Sequence, residues 1–298
     1  MPFLPYADLQ APLKLPTILE HLPRAHPIGR GTYRPDIDLS LARHDLLGYG
    51  ARHLAWREPN AMPYVYPIPN LLPPELVTEI RNRLESEPDS WVDGGQTAGR
   101  DASKKNNQEL ASDSALRVQI SDAITTVLRD YQRRESLLFT FLAAPSKIGT
   151  FLVSSTETGG GYGDHMDNNV MGKGTPEELR SDLSMTIFLS DPESYQGGEL
   201  VVDSDMTFAP SFKMPAGGAV LYATNSIHRV NPVTAGKRDV AITWIQSEIA
   251  DPFMRQMNAD LLQCLNAVSQ NAEQIPQLAN FLTLKLEKVR GNLQKRQR

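Results

Sequence analysis

Cysteine is nearly absent from this chain: Cys264 is the only one among 298 residues, so no disulfide can form within the chain. We expect this thiol, which lies in a helical pattern, to be buried. We also expect a reducing, cytoplasmic setting. No apolar run approaches the roughly 18 residues that a membrane-spanning helix requires. The N-terminus has no charged segment followed by an apolar core, as a secretory signal would. These absences predict a protein with no membrane partner.

Neither sign of charge dominates the sequence. The 35 acidic and 30 basic residues give a formal net charge of −5, which does not indicate a broad nucleic-acid surface. The basic run at residues 285–298 is typical of a solvated helix end. The sequence also lacks the Gly-x-Ser-x-Gly nucleophile motif and a glycine-rich phosphate loop ending in Lys-Ser/Thr. These absences argue against α/β-hydrolases and P-loop enzymes.

Proline and glycine divide the chain into three predicted parts. Residues 1–66 contain many prolines, which break regular structure, and we interpret them as an arm packed on the core. Two roles stay open for this arm: it lines the substrate entrance, or it forms a dimer contact. Residues 67–250 are predicted to form the main domain. Residues 251–298 are predicted to form a helical extension with an apolar stripe from Phe253 to Val268. This stripe packs either on the sheet or on a second subunit. A homodimer therefore stays open.

The main domain begins with helical periodicity and continues with short strands. Amphipathic helices are predicted at 73–87 and 112–131, and a mobile polar loop at 101–109. β-Branched and aromatic residues between glycine and proline turns predict the strands, which are 137–153, 183–190, 199–202, 219–223 and 240–246. We therefore predict a mainly β fold with flanking helices, a double-stranded β-helix of the jelly-roll, cupin-like type.

Three side chains have the spacing of a metal site. His165 and Asp167 are two residues apart, so in an extended segment they point to the same side. His228 lies 63 residues further on, beside a predicted strand. Two imidazoles and one carboxylate on one face of a metal leave its other positions free, as in non-haem Fe(II) oxygenases. The glycine-rich approach to His165 would allow close contact between the backbone and a ligand.

Arg238 follows His228 by ten residues and is predicted to start a strand. A guanidinium binds a carboxylate with two parallel hydrogen bonds. Each of the four residues alone is a weak signal, but together they indicate a site for iron and a 2-oxoacid. The other histidines lack metal-ligand spacing and are interpreted as structural or exposed; they are His21, His26, His44 and His53.

Residues 68–250 resemble the PKHD-type hydroxylases, within the prolyl-4-hydroxylase-like Fe(II)/2-oxoglutarate dioxygenases. The motifs that carry this resemblance are Trp91-Val-Asp-Gly-x-x-Thr-Ala-Gly, Lys105-x-Asn107, Tyr162-Gly-Asp-His-x-Asp-Asn, Asp182-Leu-Ser-x-Thr-x-Phe-Leu-Ser-Asp-Pro, Gly197-Gly-Glu-Leu, Pro215-Ala-Gly, His228-Arg-Val-x-Pro-Val-Thr-x-Gly-x-Arg238 and Trp244-x-Gln-Ser.

The resemblance implies a set of cofactors and residue roles. Iron would be held by His165, Asp167 and His228. The 2-oxoglutarate would chelate the iron and pair its far carboxylate with Arg238, and Tyr162 would lie near this co-substrate. Molecular oxygen would be the oxidant, with ascorbate as a stimulant. The sequence departs from the family where an Arg-Tyr pair usually precedes the first ligand: Ser155 and Thr156 stand there. Thr156 would then give one hydrogen bond in a wider pocket.

The lost tyrosine and the added arm favour a small-molecule substrate, such as an amino-acid-like or secondary metabolite, oxidised with release of succinate and CO2. One alternative is a protein hydroxylase that senses oxygen or 2-oxoglutarate. Another is a metal-free interaction domain, which the complete set of His165, Asp167, His228 and Arg238 disfavours. Desaturation, ring closure and epoxidation use the same site and stay open as outcomes.

Overall fold

The structure is a computed structural model that describes residues 65–134 and 142–295. The predicted arm therefore lies outside the described residues, except that Val65 and Tyr66 begin the first strand. The four histidines of the arm and the first part of the strand predicted at 137–153 also lie outside them.

Helices flank a β-rich centre. The four α-helices of the described residues are α1 (Pro74–Ser86), α2 (Ala115–Arg134), α3 (Pro252–Gln270) and α4 (Pro276–Lys295). The strands are, in chain order, β1 (Val65–Ile68), β2 (Trp91–Asp93), β3 (Lys105–Asn106), β4 (Gln108–Leu110), β5 (Pro145–Ile148), β6 (Leu152–Glu157), β7 (Gly161–His165), β8 (Val170–Met171), β9 (Leu179–Arg180), β10 (Leu183–Phe188), β11 (Tyr195–Gly197), β12 (Leu200–Val202), β13 (Ser211–Phe212), β14 (Ala219–Ala223), β15 (His228–Val230) and β16 (Val233–Ser247).

Two antiparallel sheets carry the architecture. The larger has the order β1-β14-β10-β16-β6-β4-β2, with β5 and β11 also paired to β16. The smaller has the order β13-β12-β15-β7-β3, and β8 and β9 form a separate pair. Strands that are neighbours in these sheets are often far apart in sequence, as expected when a chain winds between two sheets. The predicted double-stranded β-helix with flanking helices is confirmed.

The main core lies between the larger sheet and the first two helices. Ile80 and Leu84 of α1 and Ile120 and Ile124 of α2 are buried in one cluster with Met185 of β10. These helix residues recur every four positions, which places them on one face. Full burial of such a side chain stabilises the fold by roughly 1.5–3 kcal/mol. The helices therefore fix the larger sheet from outside and leave its other face to the cavity described below.

Strand β16 is the longest strand of the described residues and extends well beyond the predicted 240–246. It begins at Val233 because its first part pairs with β11 and its end pairs with β5. Gly236 has φ +78°, and a Cβ there would come within 2.4 Å of the Ser194 carbonyl oxygen. Only glycine permits that close approach. Arg238 is therefore inside a strand rather than at the start of one.

The exposure of Cys264 contradicts the prediction of a buried thiol. Helix α3 turns Arg255, Ala259 and Leu262 inward, positions that share one helical face. Cys264 lies two residues beyond Leu262 and therefore points away. Phe253, expected in the apolar stripe, is 59% exposed. The other positions of the stripe are buried or half-buried. Phe253 falls outside it because Arg255 takes the buried position at this end of the helix and donates to the carbonyl oxygens of the turn before it.

The polar stretch at 101–109 was also misread as a mobile loop. It contains the end of a 3-10 turn, then β3 and most of β4. β3 pairs with β7, and β4 pairs with β6. Glu109 is buried despite its charge, because Lys105 forms an ion pair with it. A polar stretch can be ordered in this way when its charges neutralise one another.

Candidate active site

The two histidines are brought together by neighbouring strands. His165 ends β7 and His228 begins β15, and their Cα atoms are direct partners in the antiparallel pair. The ring centroids lie 4.2 Å apart, and both side chains are buried. A Cβ on Gly160, just before β7, would come within 2.6 Å of the Asn106 carbonyl oxygen. This glycine lets β7 approach β3 closely.

Each imidazole uses one nitrogen to fix its orientation. In the tautomer with Nδ1 protonated, His165 donates to the Gly163 carbonyl oxygen at 2.8 Å, and His228 donates to that of Ser226 at 3.0 Å. Both Nε2 atoms then keep a lone pair for a metal. Burial, together with the neighbouring His228, holds the pKa of His165 below its ordinary value. A neutral imidazole is the form that binds metal.

Asp167 completes the group from the segment after β7. Its Oδ1 lies 3.8 Å from Nε2 of His165 and 3.8 Å from Nε2 of His228. Its Oδ2 accepts hydrogen bonds from Ser184 Oγ at 2.8 Å and from Trp244 Nε1 at 2.9 Å. One carboxylate oxygen is therefore held by the protein while the other faces the imidazoles. The potential ligand atoms all lie within 4.8 Å of one another, and this donor set suits Fe(II).

These three residues face a cavity of about 550 Å³ between the two sheets. The side chains from the larger sheet alternate along their strands, as Leu152, Ser154 and Thr156 do on β6, and Arg238, Ile242 and Trp244 on β16. The cavity thus has polar groups at several points and an apolar lining between them. Volumes of this size are typical of small-molecule sites.

Arg238 is 2% exposed and reaches the cavity from β16. Its Nε and Nη2 have no hydrogen-bond partner among the described residues. Burial lowers its pKa, while the nearby Tyr195 and Tyr222 oppose that shift, and the Phe188 ring lies 5.3 Å from Cζ. A buried cation with unused donors is costly unless an anion binds it. The arrangement fits a carboxylate.

Tyr162 and Thr156 both line the cavity. The Tyr162 ring stacks on His165, with centroids 3.5 Å apart and planes 14° apart. Burial, followed by the charges of Asp101 and Asp167, raises the pKa of Tyr162 to about 12, so the phenol is neutral at ordinary pH. Thr156 is the register partner of Arg238, so the two residues lie opposite each other on the neighbouring strands β6 and β16.

Several groups of the site were not singled out from the sequence. Ser184 and Trp244 belong to motifs of the resemblance, but their bonds to Asp167 cross 17 and 77 residues of chain. Tyr222 packs edge-on against His228, with centroids 5.0 Å apart. Burial raises its pKa. Tyr195 has a buried hydroxyl beside Arg238. Alternation along β10 and β14 was the available signal for Ser184 and Tyr222.

A family model described as the 2OG-Fe(II) oxygenase superfamily matches residues 151–246. The chain is 36% identical over 216 residues to the PKHD-type hydroxylase of Aliarcobacter butzleri (strain RM4018), an alignment that covers 72% of this chain and 92% of that protein. It is 39% identical over 219 residues to the PKHD-type hydroxylase of Pseudomonas putida (strain KT2440), covering 73% and 92%. A solved prolyl-4-hydroxylase of Pseudomonas putida is 15% identical, with a TM-score of 0.44 over 61% of this chain and 92% of that one.

The fold, the site and the family model define an Fe(II)- and 2-oxoglutarate-dependent oxygenase, an oxidoreductase of the dioxygenase class. Within that class, the chain belongs to the PKHD-type hydroxylases. The resemblance stated from the sequence motifs is thereby confirmed. No helix in the described ranges is both long enough and apolar enough to cross a bilayer.

Proposed function

We propose that this enzyme hydroxylates an unactivated C–H bond of a small molecule and converts 2-oxoglutarate to succinate and CO2. The observation that carries the proposal is the convergence of Nε2 of His165, Nε2 of His228 and Oδ1 of Asp167 on one point at the cavity. Three protein ligands on one face leave positions for co-substrate and oxygen. Bound there, Fe(II) with oxygen and 2-oxoglutarate supplies the oxidising power.

The protein's own residues orient the metal ligands. The carbonyl oxygens of Gly163 and Ser226 hold the two imidazoles in the tautomer that binds metal. Ser184 and Trp244 hold Oδ2 of Asp167, which favours coordination through Oδ1 alone. Such surrounding hydrogen bonds commonly change metal affinity by about 10- to 100-fold.

We assign the far carboxylate of 2-oxoglutarate to Arg238. Its Nε and Nη2, which have no partner among the described residues, supply two donors, and the hydroxyl of Tyr195 lies beside the guanidinium and interacts with it. In this assignment Tyr195 takes over the hydrogen bond that the family's tyrosine would give at position 156, and Thr156 plays a smaller part. Tyr162 borders the co-substrate through its stack on His165.

The size of the cavity favours a small molecule over a folded protein as the substrate. The cavity volume of about 550 Å³ lies within the range of small-ligand sites. The polar and apolar residues around it suit an amino-acid-like compound. A protein hydroxylase acting as an oxygen or 2-oxoglutarate sensor is the alternative that the experiment below must distinguish. Desaturation and ring closure would use the same residues and differ in the pose of the substrate.

The test is succinate release from anaerobically purified protein given Fe(II), 2-oxoglutarate and O2, with and without a pool of small metabolites. We expect the pool to stimulate succinate release, and mass spectrometry to show one compound that gains an oxygen atom. Stimulation by a protein fraction alone would favour the sensor instead. Protein that binds no Fe(II) would refute the proposal. Ascorbate is added in a parallel sample, where we expect it to prolong turnover, and sedimentation of the same protein tests for a homodimer.

A further inference from the structure

One wall of the cavity carries charges that neither the metal ligands nor Arg238 use. We call it the Lys105 wall and define it by four residues of the segment between α1 and α2, which are Thr97, Lys105, Asn107 and Glu109. The side chains of Lys105 and Glu109 are only 9% and 1% exposed. A buried charge requires a partner, and these two form an ion pair.

Hydrogen bonds close this ion pair into a triangle. Lys105 Nζ donates to Glu109 Oε1 and, at 2.9 Å, to Thr97 Oγ1. Thr97 Oγ1 in turn donates to Glu109 Oε2 at 2.8 Å. Both carboxylate oxygens are therefore engaged. An ammonium has three donors, and the triangle uses two, which leaves the third for the cavity.

Glu109 does not depend on Lys105 alone for charge compensation. Burial lowers the pKa of Arg117, and the nearby Glu109 carboxylate opposes that shift, so a second cation lies in the field of the carboxylate. Neutralisation of Glu109 therefore does not by itself explain why an ammonium lines the cavity. In this geometry Glu109 and Thr97 position Lys105.

The ammonium lies close to the metal ligands. Lys105 is the register partner of Tyr162, and its Nζ lies 5.2 Å from the centroid of that ring. The other neighbour of the Tyr162 ring is the His165 imidazole, with centroids 3.5 Å apart. One aromatic ring therefore separates the ammonium from the first candidate iron ligand. An anion held by Lys105 would therefore lie in the same cavity as the metal ligands.

We propose that Lys105 binds the carboxylate of the substrate, so that the enzyme acts on a small molecule with a free carboxylate, of the amino-acid type. This inference rests on the proposed function. Apolar residues elsewhere in the cavity, among them Leu200 and Ile242, receive the carbon skeleton. Arg238 is reserved for the co-substrate. In this proposal Lys105 binds the carboxylate of the substrate, and Arg238 binds the far carboxylate of 2-oxoglutarate.

The probes are free L-amino acids, each with its matched α-carboxamide. They are titrated anaerobically into enzyme loaded with Fe(II) and 2-oxoglutarate, and the visible absorption of that complex is followed. We expect wild-type enzyme to bind at least one acid about tenfold or more tightly than its amide. Lys105→Met should lose that preference and keep its affinity for 2-oxoglutarate. Lys173→Met is the control, because Lys173 is exposed and is not among the residues that line the cavity; it should keep the preference.

Three results would overturn the inference: equal binding of acids and amides by wild-type enzyme, no binding of any probe, or an unchanged preference in Lys105→Met. A loss of 2-oxoglutarate affinity in Lys105→Met would also overturn it, by assigning Lys105 to the co-substrate. If Lys105→Met does not fold, Lys105→Met combined with Glu109→Gln removes both charges and serves instead. Wild-type enzyme that forms no complex with 2-oxoglutarate refutes the proposed function itself, which separates the two failures.

Discussion

Two walls of the cavity satisfy their polar side chains in different ways. One wall carries the candidate metal ligands, and the other is the Lys105 wall. At His165, His228 and Asp167, the protein satisfies one polar atom of each side chain and leaves another facing a common point. In the Lys105 wall, the charged groups satisfy one another. The first arrangement sacrifices stability for a ligand, whereas the second contributes to the fold. The difference predicts that substitutions of the metal ligands will lower activity alone, whereas substitutions in the Lys105 wall will also lower stability.

The largest effect is expected from Asp167→Ala. Loss of the carboxylate removes one of three candidate ligands, and substrate-dependent succinate release should fall by at least about 1000-fold, or about 4 kcal/mol. The metal-free variant should unfold at about the same denaturant concentration as metal-free wild type. Measurements of Fe(II) content, turnover and urea unfolding on one preparation test this. Full turnover in the variant would remove Asp167 from the site.

Glu109→Ala should lower stability as well, because Glu109 contributes to the fold in addition to positioning Lys105. The substitution leaves the buried Lys105 without its carboxylate, and breaking a buried pair on one side typically costs 3–5 kcal/mol. We expect a loss of about 3 kcal/mol in the free energy of unfolding, measured by urea denaturation. Glu193→Ala, in an exposed turn, is a suitable control and should change stability little. A Glu109→Ala protein as stable as wild type would mean that the ion pair contributes nothing to the fold.

Arg238→Met tests a third arrangement, in which donors of a buried side chain have no partner among the described residues. The dissociation constant for 2-oxoglutarate should rise about 100-fold, since a charge-assisted bidentate pair is lost. Tyr195→Phe should raise it about fivefold and Thr156→Val less than about twofold. Anaerobic titration of the Fe(II) enzyme gives all three values. A larger effect at Thr156 than at Tyr195 would reverse our assignment of the hydroxyl.

Smaller effects than that of Arg238→Met should come from the residues that hold Asp167. Ser184→Ala and Trp244→Phe each remove one donor to Oδ2 and should weaken Fe(II) binding by about tenfold. Both should leave the affinity for added 2-oxoglutarate unchanged at saturating iron. Competition with a chelator measures the iron affinity. Unaltered affinity in both variants would show that the orientation of the carboxylate does not depend on these bonds.

The same contrast explains what could be predicted from the sequence. His165 and Asp167 could be predicted because a spacing of two on an extended segment is a local signal. Arg238 could be predicted from its spacing of ten residues after His228. The stretch at 101–109, which carries most of the Lys105 wall, was predicted wrongly to be a mobile loop. Its order depends on strand pairing and on an ion pair that form only in the folded protein. Tyr195 was missed because its hydroxyl comes close to Arg238 only in the folded protein. The start of the inward face of α3 was predicted wrongly at Phe253, because a buried arginine contradicts the usual pattern of burial.

The length of β16 has a consequence for how this chain can vary. Arg238 and Trp244 lie on one strand, and both point into the cavity because an even number of positions separates them. One residue inserted or deleted between them would turn one of the two to the opposite face. A two-residue change would keep both facing inward but displaced along the strand. Between these two positions, an odd change in length would therefore separate Arg238 from Trp244, whereas an even change would keep both side chains in the cavity.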